Sequence, residues 1–287
     1  MKVIITGAGG NLGGKLAAFL QSADWCTGVI GIDVKPIAAS GKYRAVLADL
    51  RDPNDRRWTD LLPEADAIVH FAAQNPAPDS NWLEATQSFD MTLNLLEQAG
   101  RGACRFIFAS SNHAMGGYKD APLPPDGKLS GATPPIAGTR MFDGYEYKTP
   151  SAYGSTKLLG ERAVMARAAG SGGRLSGVNI RIGWIQNGEN RPDTIGPHGA
   201  GRRTGPALPD AEDAARSLTW FRNMWLSNRD FLQLMEKAIR SPATNWPAPA
   251  ITVSGMSNNR GMAWDLSDGN RLLGYEPIDD AWAALAQ

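Results

Sequence analysis

The stretch AYGSTK sets Tyr153 and Lys157 four positions apart. On a helix the phenol and the ammonium then share one face, one turn from each other. A free tyrosine titrates at about 10 and is a poor base at neutral pH. A neighbouring ammonium favours the phenolate and lowers that value. A second polar group stands ready in FASSNH, where Ser110 and Ser111 end a strand-like run. Together these are the parts of a proton-transfer site: a phenolic acid/base, a cation that tunes it, and a hydroxyl that bonds the same substrate oxygen. Alone, Y-x-x-x-K arises by chance in many helices as an exposed amphipathic pair, so the surrounding chain must supply the context.

The N-terminus supplies it. TGAGGNLGG directly follows the run KVIIT and opens a helical pattern, with Gly7, Gly10 and Gly13 spaced G-x-x-G-x-x-G around Asn11 and Leu12. The first glycine permits a tight turn, the second lets a pyrophosphate approach the backbone, and the third lets helix and strand pack closely. Free N–H groups at the helix start then receive the phosphates. Asp33 ends the next strand-like run, twenty residues after Gly13. A carboxylate there accepts hydrogen bonds from ribose hydroxyls and repels a 2′-phosphate, which selects NAD over NADP. The alternative for Asp33 is a strand-end turn acid. Asp49 and Leu50, closing VLADL, are expected beside the adenine, and Phe71 with the small pair Ala72–Ala73 beside the cofactor. With NAD in place, the tyrosine, lysine and serine become a set for moving hydride to or from a carbon that bears a hydroxyl.

Other chemistries fit less well. His70, His113 and His198 have no metal-ligand spacing with cysteine or acid pairs, and HExxH is absent, so no metal site is expected. No G-x-S-x-G elbow exists for a serine hydrolase, and His113 is too near the serine pair in sequence to be taken as its base. GRRTG, at 201–205, reads either as an anion site or as a solvated loop.

The elements that must position these residues alternate. KVIIT, GVIGID (28–33), RAVLADL (44–50), AIVHFAA (67–73) and CRFIFAS (104–110) read as strands buried on both faces. LGGKLAAFLQSA, NDRRWTDLLP and NWLEATQSFDMTLNLLEQAG between them carry helical spacing, the last ending at Gly100. Residues 150–170 form a further helix and 175–183 a further strand. The alternation implies an α/β fold with a parallel sheet and crossover helices. Residues 184–213 are a long polar segment, 214–241 two short helices, and 250–255 a late strand. The expected division is a nucleotide-binding region over 1–183 and a smaller, discontinuous substrate region over 184–287. A net charge of zero gives no global field for nucleic acid or anionic membrane. The chain has no apolar run near the roughly 20 residues that span a bilayer. The start is too short in apolar residues for a signal peptide, and the two cysteines read as reduced and buried. A cytoplasmic location is expected.

TGAGGNLG, the acid at 33, FASSN and YGSTK resemble the extended short-chain dehydrogenase/reductase superfamily over residues 1 to about 183. That resemblance implies a Rossmann-type sheet and a catalytic triad of Ser111, Tyr153 and Lys157. Of the family's polar helix-start positions only Asn94 remains, as a cofactor contact. FASSNH, IRIG, RSLTWF, SNRDF, GMSNN and LLGYEP are similar to uronate dehydrogenases, which oxidise the anomeric carbon of hexuronic acids to lactones with NAD. This second resemblance implies substrate contacts at Asn112, His113 and Arg216. Two positions depart from it: Trp184 stands where those enzymes carry a small hydroxyl residue that touches the substrate, and Asn75 replaces a serine. Ser111 and Tyr153 are 42 positions apart because the connection between them is long. Both that insertion and 184–213 are expected to border the site, since they follow strand C-termini. The resulting expectation is an NAD-dependent dehydrogenase acting on a small sugar-like substrate, as a dimer or higher homo-oligomer through the helices at 81–99 and 151–169. A nucleotide-sugar epimerase or dehydratase with tightly held NAD is the alternative, and a non-catalytic NAD-binding protein a third.

Overall fold

The computed structural model describes residues 1–75, 77, 79–99, 104–143, 145–200 and 210–286. In chain order the first half runs β1 (Lys2–Thr6), α1 (Asn11–Ser22), β2 (Gly28–Asp33), β3 (Tyr43–Leu47), α2 (Arg56–Thr59), β4 (Ala67–His70), α3 (Trp82–Ala99) and β5 (Cys104–Ser111). A 3₁₀ segment, Asn112–Lys119, follows, then the small ribbon β6 (Met141–Phe142) and β7 (Tyr147–Lys148). The second half holds α4 (Ala152–Ala169), β8 (Leu175–Ile182), the ribbon β9 (Ile195–Gly196) and β10 (Gly199–Ala200), α5 (Ala211–Asn223), α6 (Asn228–Arg240), β11 (Ala250–Gly255), α7 (Ser267–Leu273) and α8 (Ala281–Leu285).

Seven strands form one parallel sheet in the order β11-β8-β5-β4-β1-β2-β3. The chain winds one way from β1 through β2 to β3, then returns to place β4 on the other side of β1. That reversal opens a crevice at the strand C-termini, which is where open α/β sheets bind ligands. Strands of this kind are apolar on both sides because helices cover both faces. On one face Leu16 and Leu20 of α1 and Phe231 and Leu234 of α6 pack with Val3, Ile5 and Val178. On the other, Leu95 of α3 and Val164 of α4 pack with Ile4, Ile68 and Phe106.

Local chemistry sets the element ends. Helix α3 begins with a reciprocal cap: Asn81 Oδ1 accepts from Glu84 N–H while Glu84 Oε2 accepts from Asn81 N–H. Ser227 Oγ accepts from Asp230 N–H and starts α6. Gly100, the expected stop of α3, lies outside the described residues, as do 201–209 and with them the whole of GRRTG.

Three expectations change. The strand expected over 44–50 is β3, Tyr43–Leu47, and it is not buried on both faces: Leu47 is half exposed because β3 is the sheet's edge. The strand expected over 67–73 stops at His70, which frees Phe71–Ala73 to turn across the crevice. NDRRWTDLLP is a four-residue helix and a 3₁₀ turn, since Asp55 caps α2 and Pro63 sits in the next turn. Both strand β11 and helix α6, from the region beyond 184, belong to the main sheet and its covering layer. Cys26 and Cys104 are free and buried. Among the described residues no helix is long and apolar enough to cross a membrane.

Candidate active site

Two cavities lie end to end along the crevice, sharing Gly7 and Gly10. One, of about 560 Å³, is lined by Asp33, Asp49, Leu50, Ala72 and Met91. The other, of about 320 Å³, is lined by Ser111, Asn112, His113, Tyr153, Lys157 and Trp184.

The first cavity is built by backbone. Gly7 has φ +67°, and a Cβ there would lie 2.8 Å from Ala72 N. A Cβ at Gly13 would collide with the carbonyl oxygen of Gly7. Only glycine lets β1, the turn and α1 approach so closely. Asp33 Oδ2 accepts from Gly9 N–H at 2.9 Å and Oδ1 from Lys35 N–H at 2.9 Å, which holds the carboxylate at the cavity wall. Asp49 accepts from the Arg51 guanidinium, and that bond holds its carboxyl below the usual range. These features fit a dinucleotide: a glycine cradle at a helix start, no side chain blocking it, and a carboxylate held at the same cavity's wall. Asn11, Leu12, Phe71 and Ala73 also line the crevice. Asn94 does not; its amide donates to Leu50 O at 2.8 Å and so pins the loop that carries Asp49 and Leu50.

The second cavity is built by side chains. Tyr153 and Lys157 stand one turn apart on α4, as their spacing predicts. Lys157 Nζ donates to Ala109 O at 2.6 Å, and burial pushes its pKa down to about 8. Burial pushes the Tyr153 phenol above its ordinary value, opposed by a hydrogen bond with Ser111. The effect expected of Lys157 on the phenol also invokes the positive nicotinamide ring of bound NAD. Ser111 Oγ accepts from His113 N–H at 3.2 Å, leaving its own proton to donate. Ser110 also lines the cavity and donates to Glu161 Oε1 at 2.5 Å, and Glu161 forms a buried ion pair with Arg181 at 2.9 Å.

His113 is buried, and desolvation pushes it down to about 4, so it is neutral. Its Nε2 accepts from Trp184 Nε1–H at 3.3 Å, which places the ring proton on Nδ1, bonded to Thr139 Oγ1 at 2.7 Å. Both ring nitrogens thus have partners within the protein, while the ring lines the cavity. Asn112 Nδ2 donates to Ile182 O at 2.9 Å, while its Oδ1 is buried with no partner.

Two expected substrate contacts lie elsewhere. Arg216 pairs with Asp213 and Asp120 in a cluster that also holds Arg140 and Lys119. Asn75 donates to Glu84 Oε2 at the start of α3. Several residues of the site were not legible in sequence. Thr139, from the long insertion, carries no motif; Ile185 O accepts from Asn11 Nδ2 across 174 positions of sequence. Glu161, two helical turns beyond Tyr153, could have been noted as an acid on the inner face of α4, but nothing pointed to Arg181 as its partner. Among the described residues no group of His, Cys, Asp and Glu could hold a metal ion.

A parallel sheet with a glycine-cradled crevice and a Tyr–Lys–Ser cluster at its far end defines the class of dinucleotide-dependent α/β proteins with a phenolic acid/base. Residues 3–185 match the NAD dependent epimerase/dehydratase family, and the chain belongs to it; its cofactor is NAD. It is 27% identical over 289 residues to the NAD-dependent glucose-6-phosphate dehydrogenase of Haloferax volcanii, covering 97% of this chain and 94% of that protein. The uronate dehydrogenase of Pseudomonas putida is 26% identical, covering 98% of this chain and 85% of that one. Among solved structures, the uronate dehydrogenase from Agrobacterium tumefaciens superposes with a TM-score of 0.70 at 24% identity, over 99% of this chain and 87% of that one.

Proposed function

We propose that the protein oxidises a sugar or sugar-acid hydroxyl, the anomeric one, giving a lactone. The observation that carries this reading is one cavity lined jointly by Gly7, Gly10 and Gly13 and by Ser111, Tyr153 and Lys157. The names of two relatives that span nearly the whole chain, both sugar dehydrogenases, support it.

NAD, when bound, supplies the hydride acceptor. Gly7, Gly10, Asn11 and Gly13 hold its phosphates, and Asp33 takes the adenosine ribose. Tyr153, as phenolate, accepts the proton of the hydroxyl being oxidised. Ser111 donates to the same oxygen, its hydroxyl oriented by the His113 N–H that it accepts. Lys157, anchored at Ala109 O, reaches the nicotinamide ribose from the same helix face. Because the base is the phenolate, turnover is expected to rise with pH as Tyr153 ionises. The apolar Leu83 and Leu93 on α3 and Leu159 on α4 are exposed, which supports pairing of these helices across a dimer.

The family description supports a second reading: an epimerase or dehydratase that uses the same triad and regenerates its cofactor. One experiment separates them. Aldoses, uronates, sulfo-sugars and sugar alcohols are assayed for NADH release with NAD in excess. Stoichiometric NADH is expected from at least one sugar; product without NADH, or NAD binding without any turnover, would overturn the dehydrogenase.

A further inference from the structure

The reaction-end cavity has an aromatic wall. His113 stands between Tyr153, edge-on at 6.2 Å between ring centroids, and Trp184 at 5.9 Å. The indole in turn stacks on Phe221 at 5.0 Å and 13°. Its far edge meets Gly199, where a Cβ would lie 2.6 Å from the ring. Backbone bonds on both sides fix the residue itself: Trp184 N–H donates to Met224 O at 2.7 Å, and Leu226 N–H donates to Trp184 O at 3.0 Å. The indole thus has a set orientation and lines the cavity.

The wall's polar atoms are almost all spent. The indole N–H is used on His113, and both His113 nitrogens are used on Trp184 and Thr139. What remains is Asn112 Oδ1, an acceptor with no donor, on a residue 1% exposed that lines the cavity. An amide oxygen can take a hydroxyl proton and repels a carboxylate. Among the described residues the one cationic side chain lining this cavity is Lys157, bonded to Ala109 O one helical turn beyond Tyr153. Among the described residues, a carboxylate brought to this wall would lose water and meet no counter-charge besides Lys157. The C–H face of a sugar ring, by contrast, gains from lying against an indole.

Resting on the reading of the chain as a sugar dehydrogenase, we propose that Trp184 sets its substrate class. The residue makes this wall a platform for a neutral pyranose, which stacks on the indole and gives one hydroxyl to Asn112 Oδ1.

The test uses matched pairs, glucose with glucuronate and galactose with galacturonate. NADH release is measured with the NAD-loaded enzyme, and binding to the NADH-loaded enzyme by calorimetry, which reads preference whether or not hydride moves. The wild type is expected to favour the neutral member at least tenfold in both. In Trp184→Ser that ratio should fall at least tenfold, chiefly through KM and binding, while NAD affinity stays within twofold. Trp184→Phe, which keeps the stack and drops the N–H, should stay within threefold of wild type, and it serves where the serine variant does not fold. A wild-type preference for the uronates, or a ratio unmoved by Trp184→Ser, overturns the proposal. Loss of preference in Trp184→Phe does so too. Binding preference without NADH release from any sugar would instead sink the dehydrogenase reading and leave the wall's role standing.

Discussion

The two ends of the crevice are made differently. At the glycine end the cavity is shaped by main chain: Gly7, Gly10 and Gly13 matter for what they lack, and the Asp33 carboxylate is held by the N–H groups of Gly9 and Lys35. At the reaction end it rests on side chains from five separate places: β5, the 3₁₀ segment after it, the long insertion, α4 and the turn after β8. Each is oriented by another: Ser111 by His113, His113 by Thr139 and Trp184, Lys157 by Ala109 O. A backbone site tolerates change in its neighbours as long as φ and close approach survive. A side-chain site depends on buried polar groups that each need their partner.

The largest test of that contrast lies beneath the reaction end. Arg181 and Glu161 are a buried pair, and Glu161 also accepts from Ser110, next to Ser111. Arg181→Ala leaves a carboxylate buried without its counter-charge and should cost about 3–5 kcal/mol of stability, read by denaturant unfolding. A loss within 1 kcal/mol would mean that this end is not scaffolded as described. Next comes Tyr153→Phe, expected to lower turnover ~10²-fold or more with NAD binding unchanged; near-normal turnover would remove the phenol from the mechanism. Asp33→Asn, at the other end, should weaken NAD about tenfold, the order of a hydrogen bond to a charged group, and narrow the preference over NADP. An equal effect on both cofactors would count against the ribose contact.

The last test concerns acid. Burial pushes His70 down to about 3 and His113 to about 4, and His70 is bonded to Thr6 and Thr92. In the unfolded chain both titrate at about 6.5, so below that pH the unfolded chain binds more protons than the folded one. Stability should therefore fall as pH drops from about 6.5 toward 4. His70→Gln keeps hydrogen-bonding groups without the titration, and the midpoint of unfolding should fall less steeply with acid. Parallel slopes for the two proteins would show that the histidines do not drive the loss.

The contrast also explains how legible each end was. Gly7, Gly13, Asp33 and the Tyr153–Lys157 pair are readable because their geometry is local: a turn, a strand end, one helical turn. The alternation of strands and helices likewise follows from apolar periodicity, and its failure at β3 follows from an edge position that periodicity does not encode. His113 shows the opposite case. From sequence it is a polar residue beside a serine pair and a candidate substrate contact. Its charge, tautomer and availability depend on Thr139 and Trp184, which lie 26 and 71 positions away. Arg216 shows the same: its motif neighbours suggest a ligand, while Asp213 and Asp120 claim its guanidinium.

By itself, then, the sequence determined the parallel α/β architecture, the glycine turn with an acid at the next strand end, and the placing of a phenol and an ammonium on one helix face. All of these are written in short-range spacing, where φ, helical phase and strand length suffice. Only the tertiary structure decided which polar atoms remain free: that Lys157 is tied to Ala109 O, that burial raises Tyr153, that His113 is neutral and fully bonded, and that Asn112 Oδ1 has no donor. Those are properties of burial and of partners distant in the chain, set by which surfaces meet when the sheet and its covering layers pack.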